Sequence, residues 1–319
     1  MEIQDVNFTN ISMGVTLLEP EFGPYVTPSV VILSVIAVFG FVGNTVMLIS
    51  LLMGYKRGWS NTDLFILNVV VIDLVVVSIN LPLRAVVEAS PSFPLGESGC
   101  KATVYFPYFC TAAVPLTVLS LVLNAAFQRV LRAPCPRWFV YAAVPIIWVV
   151  AFVVPIPPVV HARLMSFHFG EQVQFACTTE WPGQWFLYDT VIFALFVALP
   201  TLMLLAFCIV IIAVRRQTTG PQEGRRTDIL IIIMAALFVV TYLLYHVTHM
   251  YLTHSSSYDI RGFVAAIKVG ICLIYLNSAV KPLLCACLYH RFRGAFASCR
   301  GRDERAGGPD ERGAELRSL

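Results

Sequence analysis

Charge is what this sequence has least of. Only 13% of its residues are Asp, Glu, Lys or Arg, roughly half the share found in an ordinary soluble domain. Hydrophobic residues reach 58% instead, so a single water-facing core with a solvated shell is excluded. No Lys or Arg precedes Lys56, although Glu2, Asp5, Glu19 and Glu21 all fall in that stretch. A His-Glu-x-x-His spacing is missing, as is any nucleophile set beside a base. An intramembrane hydrolase therefore has nothing to work with, and no catalytic residue, metal or cofactor is assigned. A basic start followed by a short apolar region, the mark of a cleaved signal peptide, is also missing, so the first apolar run is expected to target the chain. Paired Gly- or Pro-broken segments in two repeated halves are not found, which argues against a small transporter.

What is present in quantity is apolar length. Runs of roughly 20 apolar residues, enough to cross a bilayer, recur seven times. They are Val30–Met53, Asp63–Glu88, Cys100–Val130, Phe139–Val160, Trp185–Val214, Asp228–Leu252 and Gly262–Leu288. The expected fold class is an all-α membrane protein, a seven-transmembrane helix bundle. Its parts are an N-terminal tail over 1–29, the bundle over 30–288, an amphipathic helix over 289–300 and a Gly-, Arg- and Glu-rich disordered tail over 301–319.

Basic residues orient the bundle. Lys56, Arg57, Arg132, Arg137, Arg215, Arg216, Arg225, Arg226, Arg291, Arg293 and Arg300 fall on one side if there are seven spans. The N-terminus is then extracellular and the protein multi-pass in the plasma membrane. The net charge of +3 is a by-product of these inner connections and gives no reason to expect nucleic-acid binding. Two sequons, at Asn7 and Asn10, fit a glycosylated outer tail.

Five of the nine cysteines (Cys110, Cys208, Cys272, Cys285 and Cys287) lie within apolar runs and suit packing. Cys100 and Cys177 lie outside by the same orientation, where an oxidising compartment favours their pairing as a disulfide. Cys299 ends the amphipathic stretch at the inner surface and is a candidate for palmitoylation, with an unmodified thiol as the alternative. The loop Leu164–Cys177 alternates polar and apolar residues around Phe169-Gly170-Glu171, as a β-hairpin does.

Several local patterns resemble the rhodopsin-like (class A) G-protein-coupled receptors. They are Gly43-Asn44-Thr45-Val46 on the first span, and Phe65-Ile66-Leu67-Asn68 with Asp73-Leu74 on the second. Phe93-Pro94-Leu95-Gly96 with Cys100-Lys101 follows. Then come Trp148 on the fourth span, Pro200 on the fifth, and Phe238 with Tyr245-His246-Val247 on the sixth. Asn277-Ser278 with Pro282 lies on the seventh, and His290-Arg291-Phe292-Arg293 resembles the family's helix eight. Each is weak alone; together they fall in order on the right spans. The stretch Tyr245–Tyr251 looks like the top of helix six in nucleotide- and lipid-type receptors, with His249 where those carry a basic residue, and the hairpin resembles peptide- and nucleotide-class receptors. Pro107 stands where aminergic receptors carry an acid, and Tyr275 where opsins carry the retinal lysine.

The resemblance breaks at the elements the family uses to switch. The Asp-Arg-Tyr triad falls at Asn124-Ala125-Ala126, with Arg129 about one turn later. Cys-Trp-x-Pro becomes Thr241-Tyr242-Leu243-Leu244, the helix-five tyrosine becomes Cys208, and Asn-Pro-x-x-Tyr becomes Lys281-Pro282-Leu283-Leu284-Cys285. The scaffold is kept and the switch is altered.

Two internal charges stand out, because a charge at bilayer depth is costly and normally partnered. Asp73 and Lys281 are expected to form an ion pair, with the ammonium taking the place of the sodium ion that the resemblance implies. The alternatives are a lysine snorkelling to the headgroups or one neutralised by burial. Toward the outside, Arg84, Lys101, His249, Arg261 and Lys268 outnumber Glu88 and Asp189, which suits an anionic ligand, the alternative being a solvated rim with no ligand role. Tyr105, Tyr108, Tyr242, Tyr245, His246 and Tyr275 are candidate pocket walls, with interhelical packing as the equal alternative for each. The inner arginines Arg129, Arg132, Arg215, Arg216, Arg225 and Arg226 are candidates to face a G protein.

The function expected is a receptor for an unknown extracellular ligand, anionic or peptidic, bound between the outer halves of helices three, five, six and seven. Its implied partners are a heterotrimeric G protein or arrestin, the lipid bilayer and a second receptor in a dimer. The rival reading keeps the fold without conventional coupling, as a decoy, scavenger or partner-modulating receptor.

Overall fold

A computed structural model describes residues 26–53, 58–169, 172–179, 185–217, 222–254, 260–289 and 292. Among these, seven helices are long and apolar enough to cross a membrane. They are Pro28–Met53, Asn61–Glu88, Gly96–Leu131, Arg137–Val160, Leu187–Arg216, Gly224–Tyr251 and Ala265–Leu288. The helices themselves run on past the apolar stretches. The first begins at Val26, inside the expected tail, and the sixth spans Gln222–His254. Backbone hydrogen bonding does not stop where the side chains turn polar, so apolar length locates the crossing segment rather than the helix ends.

Two spans widen into a π turn at matching places. Val76–Asn80 lies just before Pro82 in the second span, and Ala194–Ala198 just before Pro200 in the fifth. In each, the residue before the proline bonds five back, Leu81 N–H to the Val76 carbonyl and Leu199 N–H to that of Ala194. A proline ring would clash with the carbonyl four residues back, and widening the turn by one residue makes room for it. The fourth span breaks instead, at Val154, before Pro155 and the short helix Ile156–Val160.

Close approach needs small residues in a bilayer, where helices associate by packing rather than by hydrophobic exclusion. A methyl group at Gly40 would lie 2.7 Å from a Val77 methyl, and one at Gly43 would lie 3.0 Å from the Pro282 ring. The first span thereby seats against both the second and the seventh. Polar side chains brace the interior: Asn68 Nδ2 donates to Thr117 Oγ1 at 2.9 Å, and Trp148 Nε1 donates to Asn68 Oδ1 at 2.8 Å. Apolar side chains such as Phe39, Trp138 and Ile209 are about two-thirds exposed and face where the lipid lies.

Between the fourth and fifth spans, β1 (Ala162–Phe169) and β2 (Gln172–Thr179) pair antiparallel, with Leu164 opposite Cys177. A Cys100–Cys177 disulfide ties β2 to the third span. Phe93 N–H donates to the Phe175 carbonyl at 2.8 Å and Phe175 N–H to Ser92 Oγ at 2.9 Å, which pins the hairpin over the bundle end. Opening the bridge by the Cys100→Ala and Cys177→Ala double change is expected to cost about 2–5 kcal/mol, read as a lower unfolding temperature of the purified protein. Peptide mapping of surface-purified protein that returns both as free thiols would contradict the bridge.

At the opposite end, Ser60 and Asp63 form a capping box, with Ser60 N–H to Asp63 Oδ2 at 2.6 Å. The Tyr289 hydroxyl also donates to Asp63 Oδ1, joining the second span to the end of the seventh. Of the amphipathic stretch 289–300, Tyr289 and Phe292 are described and both are buried. Asn7, Asn10, Cys299 and the tail 301–319 lie outside the described residues.

Candidate functional site

The bundle carries three polar centres at different depths. At the hairpin end a cavity of about 140 Å³ opens between the second, third and seventh spans and β2. Its walls include Leu83, Val87, Phe93, Val104 and Pro107, and its polar lining includes Arg84, Thr178 and Tyr275. This cavity shares the third and seventh spans with the groove expected between the third, fifth, sixth and seventh, and draws its remaining walls from the second span and the hairpin. The tether through Cys100 and Cys177 is the reason: it lays β2 across the second and third spans.

Next to that cavity the basic rim is already engaged. Glu88 accepts from Arg84 Nη2 on one oxygen at 2.7 Å, and Lys268 Nζ lies 2.8 Å from the other. Glu88 and Lys268 are buried, while the Arg84 side chain keeps about a third of its exposure, 32%. Lys101 pairs with Glu97 at 3.4 Å, both side chains nearly half exposed, a geometry that contributes little in water.

The aromatic candidates divide. Tyr275 lines the cavity. Tyr105 instead turns to the fourth span, its hydroxyl 3.4 Å from the Phe152 carbonyl, because its helical position places it over Phe109 and Phe106. Tyr108 donates to Asp189 Oδ1 at 2.5 Å and links the third span to the fifth. Tyr242, Tyr245, His246 and His249 form a ring-on-ring ladder along the sixth span, with neighbouring centroids 5.0–6.0 Å apart. Arg261, expected at the rim, has no described side chain.

In mid-bundle, Lys281 Nζ and Ser278 Oγ both donate to Asp73 Oδ1, at 2.8 and 2.7 Å. The two charged side chains are 2% and 1% exposed, so the ammonium does not run to the headgroups. Asp73 Oδ2 has no hydrogen-bond partner among the described residues. One turn away, Asn277 Nδ2 donates to Thr241 Oγ1 at 3.1 Å and joins the seventh span to the sixth.

The third centre closes the other end. Asp228 of the sixth span holds two guanidiniums: Arg129 Nε lies 2.8 Å from Oδ2, and Arg215 Nε donates to the same oxygen at 2.6 Å. Arg129 Nη2 also donates to the Gly224 carbonyl at 3.1 Å. Arg129 and Arg215 therefore turn inward, unlike the exposed Arg132, Arg216 and Arg225; Arg226 is half-buried. Arg132 ends the third span in the left-handed region, φ 51°. At the altered triad position, Asn124 is buried and donates to Thr62 Oγ1 at 3.0 Å, with Ala125 and Ala126 packed beside it.

The Asp228 cluster and the Asp63–Tyr289 bond escape sequence reasoning. The available signal was a carboxylate at the membrane edge on one span with basic or phenolic residues at the same depth on others. Depth alone does not say which faces meet.

These features have counterparts in known proteins. The family model described as 7 transmembrane receptor (rhodopsin family) matches residues 43–284. Galanin receptor 2b of Danio rerio is 25% identical over 282 residues, covering 83% of this chain and 73% of that one. Somatostatin receptor type 2 of Mus musculus is 23% identical, covering 82% and 74%. Galanin receptor type 1 of Homo sapiens is 26% identical, covering 84% and 80%. With the seven spans, the tethered hairpin and a family match over most of its length, the chain belongs to the rhodopsin family of seven-transmembrane receptors.

Proposed function

We propose that this protein is a plasma-membrane receptor whose hairpin end is extracellular, that it binds a peptide there, and that it meets a heterotrimeric G protein or arrestin at its basic end. The cavity beneath the tethered hairpin carries this reading, and relatives named for galanin and somatostatin support the peptide class. Orientation rests on the basic residues crowded at the end away from the hairpin. Two cations beside one carboxylate at Arg84, Lys268 and Glu88 favour a ligand with an anionic group.

Coupling is proposed to be weak or unconventional. The triad position holds Asn124, Ala125 and Ala126 without a charge, and the nearest arginine is bound by Asp228. The same observation favours the second reading, a decoy, scavenger or partner-modulating receptor.

A cell-surface assay of basal and peptide-driven signalling across G-protein classes, with arrestin recruitment, tests both. Peptide pools are expected to give receptor-dependent arrestin recruitment or internalisation with little G-protein turnover. The combined Asn124→Asp, Ala125→Arg and Ala126→Tyr change is expected to alter basal output more than any single cavity substitution, at matched surface expression. Strong ligand-driven turnover by the unmodified chain would overturn the weak-coupling reading. No response of any kind to any peptide pool would overturn the peptide class.

A further inference from the structure

The hydrogen-bond pattern of the hairpin narrows the ligand further, and this inference rests on the peptide-receptor reading above. We propose that the ligand lies extended along the outer edge of β2, its backbone paired with the N–H and C=O groups of Cys177 and Thr179 and one apolar side chain seated in the hairpin-end cavity.

The register fixes which backbone groups point outward. In an antiparallel pair, opposed residues alternate between those that bond to each other and those that turn both groups to the outer edges. Phe175 is of the second kind. Its N–H donates outward to Ser92 Oγ at 2.9 Å, and its carbonyl accepts from Phe93 N–H at 2.8 Å. Phe175 lies opposite Ser166, and the pair two residues along is Leu164 with Cys177. There the Leu164 N–H donates outward to Glu97 Oε2 at 3.3 Å, on the other edge of the hairpin, so the alternation holds. Cys177 and, two further on, Thr179 therefore turn their N–H and C=O groups away from β1. Among the described residues, Ser92 and Phe93 take up this edge at Phe175, and nothing takes it up at Cys177 or Thr179.

The same edge meets the cavity. Phe93, which bonds to the edge at Phe175, is one cavity wall, and Ala176, Cys177, Thr178 and Thr179 all belong to the lining. A strand seen face-on shows alternate residues, so a cavity that touches four in a row runs along the edge. Exposure follows the same alternation. Ala176 and Thr178 are 3% and 1% exposed, while Cys177 and Thr179, whose groups point out, are half-buried.

An open strand edge is a template for another strand, and extended peptides bind sheet edges by main-chain pairing of this kind. The two open positions are roughly 7 Å apart, so a guest of about three residues pairs with both. Its side chains alternate in direction, and those turned to the bundle meet Leu83, Val87, Val104 and Pro107. A cavity of about 140 Å³ holds one of them, since an engineered cavity of ~150 Å³ takes up one benzene.

The test uses the full chain in lipid nanodiscs and one probe, the peptide acetyl-Thr-Thr-Leu-Thr-Thr with a dye on its C-terminal amide, read by fluorescence anisotropy. Methylating the probe's backbone nitrogens one at a time is expected to weaken binding about fivefold at alternate positions, with the positions between nearly unchanged. Replacing the probe's leucine by alanine should weaken it about tenfold. Thr179→Pro removes one outward N–H where no hairpin bond is lost, a place at which an edge strand tolerates proline. It should weaken the probe about fivefold, while Thr179→Val keeps the N–H and should bind as the parent does. If Thr179→Pro does not fold, the methyl scan on the unmodified chain decides.

A methyl scan without alternation would overturn the strand, and a probe indifferent to its leucine would overturn the apolar guest. A Thr179→Pro chain that binds like the parent, or loses no more than Thr179→Val, would sink the backbone pairing. No binding at millimolar concentration would overturn the proposal and leave the edge to a segment of this chain or to a second copy. Peptide-driven responses in cells together with a scan that does not alternate would sink this inference and leave the receptor reading standing. An alternating scan without any peptide response would do the reverse.

Discussion

Asp73→Asn and Lys281→Asn will each destabilise the bundle by about 3–5 kcal/mol, and the double variant will recover much of that loss. The pair is 2.8 Å apart and almost wholly removed from solvent. Removing one partner strands the other charge at bilayer depth, where it has no water to fall back on. Ser278 donates to the same Asp73 oxygen and cannot replace a full charge. The measurement is a double-variant cycle on unfolding in nanodiscs, and additive single losses with no recovery would show that the two charges are not coupled. The same geometry gives a second readout. We propose that the ammonium fills the place of a bound sodium ion, so unfolding of the parent should be the same in sodium as in a matched large cation. Lys281→Asn should acquire a sodium dependence, since it leaves Asp73 open to a small cation. Sodium-dependent stability of the parent would contradict this role.

Asp228→Asn is expected to cost more than either Arg129→Gln or Arg215→Gln, because one buried carboxylate serves two guanidiniums from two different spans. The arginines are 29% and 22% exposed, so water partly screens the loss. About 2 kcal/mol is a fairer figure than the full penalty for a buried pair. Neutralising Asp228 also releases the basic ends of the third, fifth and sixth spans from one another. Hydrogen exchange should therefore quicken at the start of the sixth span while the hairpin end stays protected. A variant no less stable than Arg215→Gln, with unchanged exchange over 224–230, would mean that Asp228 is not the hub of that end.

The seven spans were legible from apolar length alone, since a bilayer of fixed thickness demands runs of that size. The hairpin was legible from its alternation and the tether from two outward cysteines. Asp73 and Lys281 were legible as partners for a simple reason. Few charges lie at mid-depth, and each is too costly to leave alone.

The ends of the bundle were harder to read, because charges there are numerous and pairing depends on facing. Arg84 and Lys268 counted among rim cations that outnumber Glu88 and Asp189, and only the structure shows Glu88 lying between them. Arg129 and Arg215 looked like surface charges, yet they fold inward onto Asp228. Tyr105 counted as a pocket wall until its rotation about the third span turned it to Phe152.

Composition and apolar run length by themselves determined the bundle and its number of crossings, because the bilayer acts on one residue at a time. Only the tertiary structure decided which charge meets which and where the cavity opens. Those depend on the rotation and close approach of helices, set by Gly40 against Val77, Gly43 against Pro282 and the π turns before Pro82 and Pro200. Packing of that kind is a property of pairs of surfaces, and no single stretch of sequence contains it.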